Sequence, residues 1–199
     1  MQPLYAHNRL ELVALVVSLL TWRVMETTVD IRSWKRFRAG AKRSDKGSRL
    51  ILAGLILVGI FVGTVLAFKV SGTSISRARN FIFWLGIILM YAGIGLRIYA
   101  IRVLGAFFTT TVAIVPEQRV VETGPYRRIR HPSYSGVLMI LLGFGLTLTN
   151  WLSPLVILGC ALIGFSYRIR VEESVLKEQL GQPYQEYMRR TKRLIPFIL

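Results

Sequence analysis

Apolar residues fall into five long runs, approximately 10–29, 49–69, 80–101, 133–149 and 151–170, separated by polar and strongly basic segments. A helix needs about 20 apolar residues to cross the hydrocarbon of a bilayer, and each run approaches that length. The second and third have charge-free centres at 50–68 and 81–96, whereas Glu11 and Arg23 interrupt the first. Only Thr149-Asn150-Trp151 joins the fourth to the fifth, and a link that short forces an antiparallel helical hairpin. From Pro154 to Leu180 nothing breaks a helix, so the fifth run is expected to continue out of the bilayer until Gly181-Gln182-Pro183 stops it. One more short helix is expected over 184–191, and the apolar residues 194–199 are expected to tuck back onto the protein.

Residues 105–132 break this pattern. The stretch 105–115 is rich in β-branched and aromatic residues, Pro116 interrupts it, and Thr123-Gly124-Pro125 turns the chain. Irregular apolar backbone beside a membrane needs protein or a ligand against it, so this segment is expected to form a wall across the helix ends. The pattern therefore predicts an all-α integral membrane protein with five transmembrane helices. Residues 1–104 hold three spans, and 105–199 hold the extended segment, the hairpin and the C-terminal helix.

Composition supports this reading. Apolar residues make up 53% of the chain, yet the net charge is +16. Loop 31–49 holds eight lysines and arginines, segment 97–130 six and the chain from Arg168 onward seven, while 69–79 holds three and the Asn150 turn none. The positive-inside rule assigns the basic side to the cytoplasm, as for a multi-pass inner-membrane protein. The N-terminus has neither the basic start nor the small-residue cleavage site of a secretory signal, so 12–25 is expected to remain as a span. The basic loops suit anionic lipid headgroups. They carry no nucleic-acid reading motif, and nothing calls for an obligate protein partner. Cys160 reads as a packing residue within an apolar run, and His7 and His131 are too few and too far apart for a metal centre. Gly59-x-x-x-Gly63 permits close helix packing within the chain.

Charges kept at membrane depth are functional candidates. Arg130-His131-Pro132-Ser133-Tyr134 opens the fourth run, and Arg168-Ile169-Arg170-Val171-Glu172-Glu173 closes the fifth. Arg168 and Glu172 share a helix face, either as part of a site or as a structural ion pair. Arg130 suits either a site or an anchor at the headgroups.

Gly124-x-Tyr126, the Arg130-to-Tyr134 box with Gly136, the hairpin, Glu172-Glu173-x-x-Leu176 and Gly181-x-x-Tyr184-x-x-Tyr187 follow in an order that resembles the isoprenylcysteine carboxyl methyltransferase family and its phospholipid methyltransferase relatives. The likeness covers roughly 105–199. It implies methyl transfer from S-adenosylmethionine to a lipid-like or prenylated acceptor. It also implies that Gln118, Arg119, Val120, Val121, Tyr126, His131, Pro132, Ser133, Tyr134, Glu172 and Glu173 hold the cofactor, with Thr111 at a further lining position. Gln118 stands where the family often has histidine. Arg168 matches the arginine that meets the acceptor, so Arg168 and Glu172 are the implied catalytic pair.

The residue types suit that chemistry. A carboxylate acceptor is ionised at neutral pH and needs no general base, and a guanidinium can hold it. Carboxylates suit a cationic methyl donor. An N-methyltransferase for aminophospholipids, a sterol-reductase-like enzyme and a non-catalytic membrane adaptor are the competing functions. The cofactor bound by the purified protein separates the last two from the methyltransferases.

Overall fold

A computed structural model describes residues 3–6, 8–38, 42–43 and 45–194. His7 and the C-terminal residues 195–199, expected to tuck back, lie outside the described residues. The described helices are α1 (Arg9–Arg38), α2 (Ser48–Lys69), α3 (Arg79–Leu104), α4 (Pro132–Thr147), α5 (Leu152–Leu180) and α6 (Gln182–Arg190). Of these, α1, α2, α3 and α5 are long and apolar enough to cross a membrane.

The fourth apolar run differs from the other four. Its helix has 16 residues, about 24 Å at the α-helical rise, which is shorter than the roughly 30 Å hydrocarbon core. Helix α4 compensates by burial: Val137, Ile140, Leu141 and Phe144 join Phe83, Met90, Ile157 and Phe165 in one core. The outward faces of the longer helices carry Leu50, Leu57, Phe61, Leu155 and Ile163, an apolar surface fit for lipid.

Small residues set the packing. A Cβ on Gly86 would meet the Gly143 carbonyl at 2.6 Å, and one on Gly93 would meet the Gly136 carbonyl at 2.6 Å. Backbones of α3 and α4 thus touch at two points seven residues apart, as small-residue helix interfaces allow. Gly59 and Gly63 do the same for α2 against Ile157 and Cys160 of α5, so that motif is used within the chain. Cys160 is a packing residue there.

At one end of the bundle the α2–α3 connection is tied to the hairpin turn. Asn150 Nδ2 donates to the Val70 carbonyl at 3.1 Å, and Ile75 N–H donates to the Thr149 carbonyl at 2.9 Å. At the other end gather the C-termini of α1 and α3, the N-termini of α2 and α4, and the overhanging part of α5. Segment 105–132 crosses this end with little regular structure, as its composition suggests. Its two-residue strand β2 (Ala113–Ile114) pairs antiparallel with β1 (Lys42–Arg43) of the α1–α2 loop. Helix α5 stops at Gly181, whose φ of 61° lies in the left-handed region that favours glycine, and Pro183 sits in the first turn of α6.

Candidate active site

Pro132 starts α4, and the residue before a proline is held out of the helical region. His131 therefore ends the irregular segment with its ring turned against Tyr134, the two rings stacked 5.3 Å apart and 6° from parallel. Two turns of α5 lie opposite. The Tyr134 hydroxyl donates to Glu172 Oε2 at 2.5 Å and accepts from Arg168 Nε at 2.8 Å. Arg168 and Glu172 share a helix face as their spacing predicts, but the tyrosine bridges them.

The ion-pair partner of Arg168 is Asp45, from the α1–α2 loop. Arg168 Nη1 donates to Asp45 Oδ1 at 3.1 Å and to Ser48 Oγ at 3.2 Å, and Nη2 donates to the Thr110 carbonyl at 2.8 Å. The Asp45 side chain is 0% exposed and that of Arg168 4%. Asp45 also accepts from the Ser48 hydroxyl at 2.9 Å, from Arg49 N–H at 3.2 Å and from Val112 N–H at 3.1 Å. Burial pushes its carboxyl up, but the N–H groups of Val112 and Arg49, the Ser48 hydroxyl and the Arg168 guanidinium hold it below its ordinary value. Arg168 thus joins α2, the irregular segment, α4 and α5. Four of the five N–H donors of its guanidinium are engaged inside the protein.

Two cavities meet at Tyr134 and Arg168. The first, about 860 Å³ and partly open to solvent, is walled by Phe107, Phe108, Gln118, Arg119, Val120, Val121, Tyr126, His131, Ser133, Glu172, Leu176, Tyr184 and Tyr187 among others. Ten of the residues suggested by the sequence therefore face one space, with Thr111. Pro132 and Glu173 are the two that do not line it. Pro132 is buried in the first turn of α4. Glu173 accepts from Arg130 Nε at 2.8 Å and from Arg193 Nη2 at 3.1 Å, and so fastens the C-terminal segment. Arg130 also donates to the carbonyls of Met188 and Thr191. It is buried rather than reaching for headgroups.

Within the first cavity Glu172 is 28% exposed, and its ion-pair contact among the described residues is His131 Nδ1 at 3.8 Å. A carboxylate facing a cavity without a lysine or arginine partner is placed to meet a cation. His131 Nε2 is buried 3.5 Å from Glu173 Oε1, without an aligned hydrogen bond. Burial, and then the charge of Glu172, raise the Tyr126 pKa, so its hydroxyl stays protonated at neutral pH. The Tyr187 hydroxyl holds the Tyr126 carbonyl at 2.8 Å. Gln118 Oε1 accepts from Val115 N–H at 3.1 Å, closing the turn that brings 118–121 onto the cavity.

The second cavity, about 720 Å³, lies between α1, α2 and the shared wall, and is lined by Trp22, Glu26, Asp30, Arg49, Leu52, Ile56, Arg97, Val137, Phe165 and others. Arg97 pairs with Glu26 at 2.7 Å and donates to Ser133 Oγ at 2.7 Å. Sequence reasoning missed Asp45, Glu26 and Arg97 as partners. Their signals were available: Asp45 is the one acid in the basic loop 31–49, and Glu26 and Arg97 are charges flanked by apolar runs.

Residues 84–178 match the sequence model of the isoprenylcysteine carboxyl methyltransferase family. The chain is similar to that family over just under half of its length. Among its relatives is a probable protein-S-isoprenylcysteine O-methyltransferase of Oryza sativa subsp. indica, 32% identical over 120 residues, 59% of this chain and 63% of the relative. The protein-S-isoprenylcysteine O-methyltransferase of Saccharomyces cerevisiae is 36% identical over 127 residues, 63% of this chain and 53% of that protein. The structure of the eukaryotic intramembrane Ras methyltransferase ICMT superposes with a TM-score of 0.56 at 29% identity, over 77% of this chain and 53% of that one. The chain thus spans between half and two thirds of the length of these relatives. Its own α1, α1–α2 loop and α2, which supply Glu26, Asp45 and Arg49, lie outside the matched 84–178.

Proposed function

We propose that the protein is an integral membrane methyltransferase that moves the methyl group of S-adenosylmethionine onto the carboxylate of an isoprenylcysteine-like lipophilic acceptor. The observation that carries this reading is the pair of cavities meeting at Tyr134 and Arg168. The cofactor supplies an electrophilic methyl on a sulfonium. The first cavity fits it: Glu172 offers a negative charge with no lysine or arginine ion pair among the described residues, Tyr126 and the rim tyrosines offer aromatic walls, and His131 and Gln118 offer hydrogen bonds. The second cavity holds the acceptor, its apolar chain along Leu52, Ile56 and Val137 and its head at the shared wall.

Held in the first cavity, S-adenosylmethionine would supply its methyl group to one carboxylate oxygen of the acceptor, the sulfur keeping the electron pair of the broken bond. A methyl ester and a neutral thioether result, and no proton moves. The protein's part is alignment and exclusion of water. Segment 105–115 covers the meeting point, and the hydrogen bonds of Arg168 and Tyr134 fix the wall between the chambers. All five apolar helices take part in the membrane domain, α4 shielded by α3 and α5. A second reading, amine methylation of a phospholipid, draws on Glu26 and Asp30, which offer the second cavity two carboxylates.

Transfer of radiolabelled methyl from S-adenosylmethionine to a panel of S-farnesyl and S-geranylgeranyl cysteine analogues and phosphatidylethanolamine tests this. The expected product is labelled prenylcysteine ester, which releases labelled methanol in alkali. Alkali-stable label on the phospholipid supports the second reading, and no transfer to any acceptor rejects both.

The site end carries the basic loops and therefore faces the cytoplasm. With Cys160 replaced by alanine, a membrane-impermeant thiol reagent added outside should label Gly72→Cys and spare Gln185→Cys, both exposed positions at opposite ends of the bundle. The opposite pattern reverses the orientation.

A further inference from the structure

Three guanidiniums line the second cavity among the described residues, those of Arg49, Arg97 and Arg168. An anionic head entering the chamber has to find a cation able to leave its present partner. Arg97 is held by Glu26 and by Ser133, with its side chain 9% exposed. Arg168 has four N–H groups bonded inside the protein and a fully buried counter-ion. Exchanging the partner of Arg168 would strand the fully buried Asp45 carboxylate, which is strongly destabilising, and exchanging that of Arg97 would strand the Glu26 carboxylate, only 22% exposed.

Arg49 differs. Its pair with Asp30, at 2.8 Å, sits at the mouth, with side chains 44% and 42% exposed. A pair this wet is worth little, and a freed Asp30 would be solvated at once. The remaining hydrogen bond of Arg49 fixes its position. Nη1 donates to Thr110 Oγ1 at 3.2 Å, while Arg168 Nη2 donates to the carbonyl oxygen of that same residue at 2.8 Å. The two guanidiniums therefore hold two polar atoms of the same residue, Thr110, and all three residues line the second cavity. Among the described residues Arg168 has one N–H left uncommitted, which is too little for a bidentate fork. Arg49 brings the rest.

We infer that Arg49 is the receiving residue for the acceptor's carboxylate: it exchanges Asp30 for the substrate and completes, with the last N–H of Arg168, a two-arginine clamp across Thr110. Asp30 is its resting counter-ion and competes with the substrate. This rests on the carboxylate-methyltransferase reading above, and it places a specificity residue in α2, outside the matched family region.

Steady-state kinetics on an S-farnesylcysteine analogue test it, with product inhibition by the corresponding methyl ester. Arg49→Gln should raise KM for the carboxylate tenfold or more and leave KM for S-adenosylmethionine and inhibition by the uncharged ester unchanged. Arg49→Lys should restore part of the loss. Asp30→Asn should act in the opposite sense and lower KM for the carboxylate, because the competitor is gone. If the pair only braces α1 against α2, both substitutions would act alike and would weaken ester and carboxylate equally, which overturns the assignment. An unchanged KM in Arg49→Gln overturns it as well. Absence of turnover by the unaltered protein would instead overturn the functional reading, and the clamp with it.

Discussion

Arg168→Ala is expected to lower the unfolding free energy by about 3–5 kcal/mol and to abolish turnover. The stability loss follows from what stays behind. Asp45 is 0% exposed, and without the guanidinium its carboxylate keeps hydrogen bonds but has lost its counter-charge. Arg168→Lys keeps the charge, but one ammonium cannot reproduce bonds to Tyr134, Asp45, Ser48 and Thr110 from a single planar group. It should be intermediate in stability and poor in turnover, with cofactor affinity little changed. Structural and functional roles separate in the double variant Asp45→Asn/Arg168→Gln, which removes both charges and retains hydrogen-bonding side chains. Thermal unfolding in detergent should show most of the stability restored, and methyl transfer should remain absent. Full activity in the double variant would make Arg168 a brace only.

The same pair sets an acid limit on stability. The folded-state pKa of Asp45 is lowered, so its contribution is complete above the ordinary carboxylate pKa of about 3.9. It fades as pH falls from there through the lower folded value. The double variant should lack that acid-dependent component.

The helical skeleton was legible because hydrocarbon imposes one length and one polarity on anything that crosses it. Runs two, three and five appear as α2, α3 and α5 close to where hydropathy put them. Run four matches α4 to within two residues, but a 16-residue helix buried by its neighbours is as apolar as one facing lipid, so hydropathy does not tell the two apart. The motif residues 118–121, 126, 131, 133, 134, 168 and 172 converge on one cavity, and short motifs on successive elements announce this well. Partners contributed from far along the chain are another matter. Asp45 meets Arg168 across 123 positions, and Glu26 meets Arg97 across 71. Their spacing carries no periodic signal, and only the cost of a lone charge at that depth marks them. Glu172 and Glu173 show the limit of adjacency: neighbours on a helix point about 100° apart, so one faces the cavity and the other the C-terminal seam.

Glu172→Gln is expected to weaken binding of S-adenosylmethionine by roughly ten- to a hundredfold, the worth of a charge-assisted hydrogen bond of about 1.5–3 kcal/mol. The substitution keeps shape, and Gln Oε1 can still accept the Tyr134 hydroxyl that Glu172 accepts at 2.5 Å. Glu172 is 28% exposed, so the fold should tolerate it, and an unchanged melting temperature is the control. Calorimetric titration with two ligands locates the charge that Glu172 meets. S-adenosylmethionine carries a sulfonium and an ammonium; its demethylated product keeps only the ammonium. Equal losses for both place Glu172 at the amino-acid end, whereas a larger loss for the methylated form places it at the sulfur. Undiminished affinity for both ligands would remove Glu172 from the cofactor site. Its carboxylate would then serve the Tyr134–Arg168 wall alone.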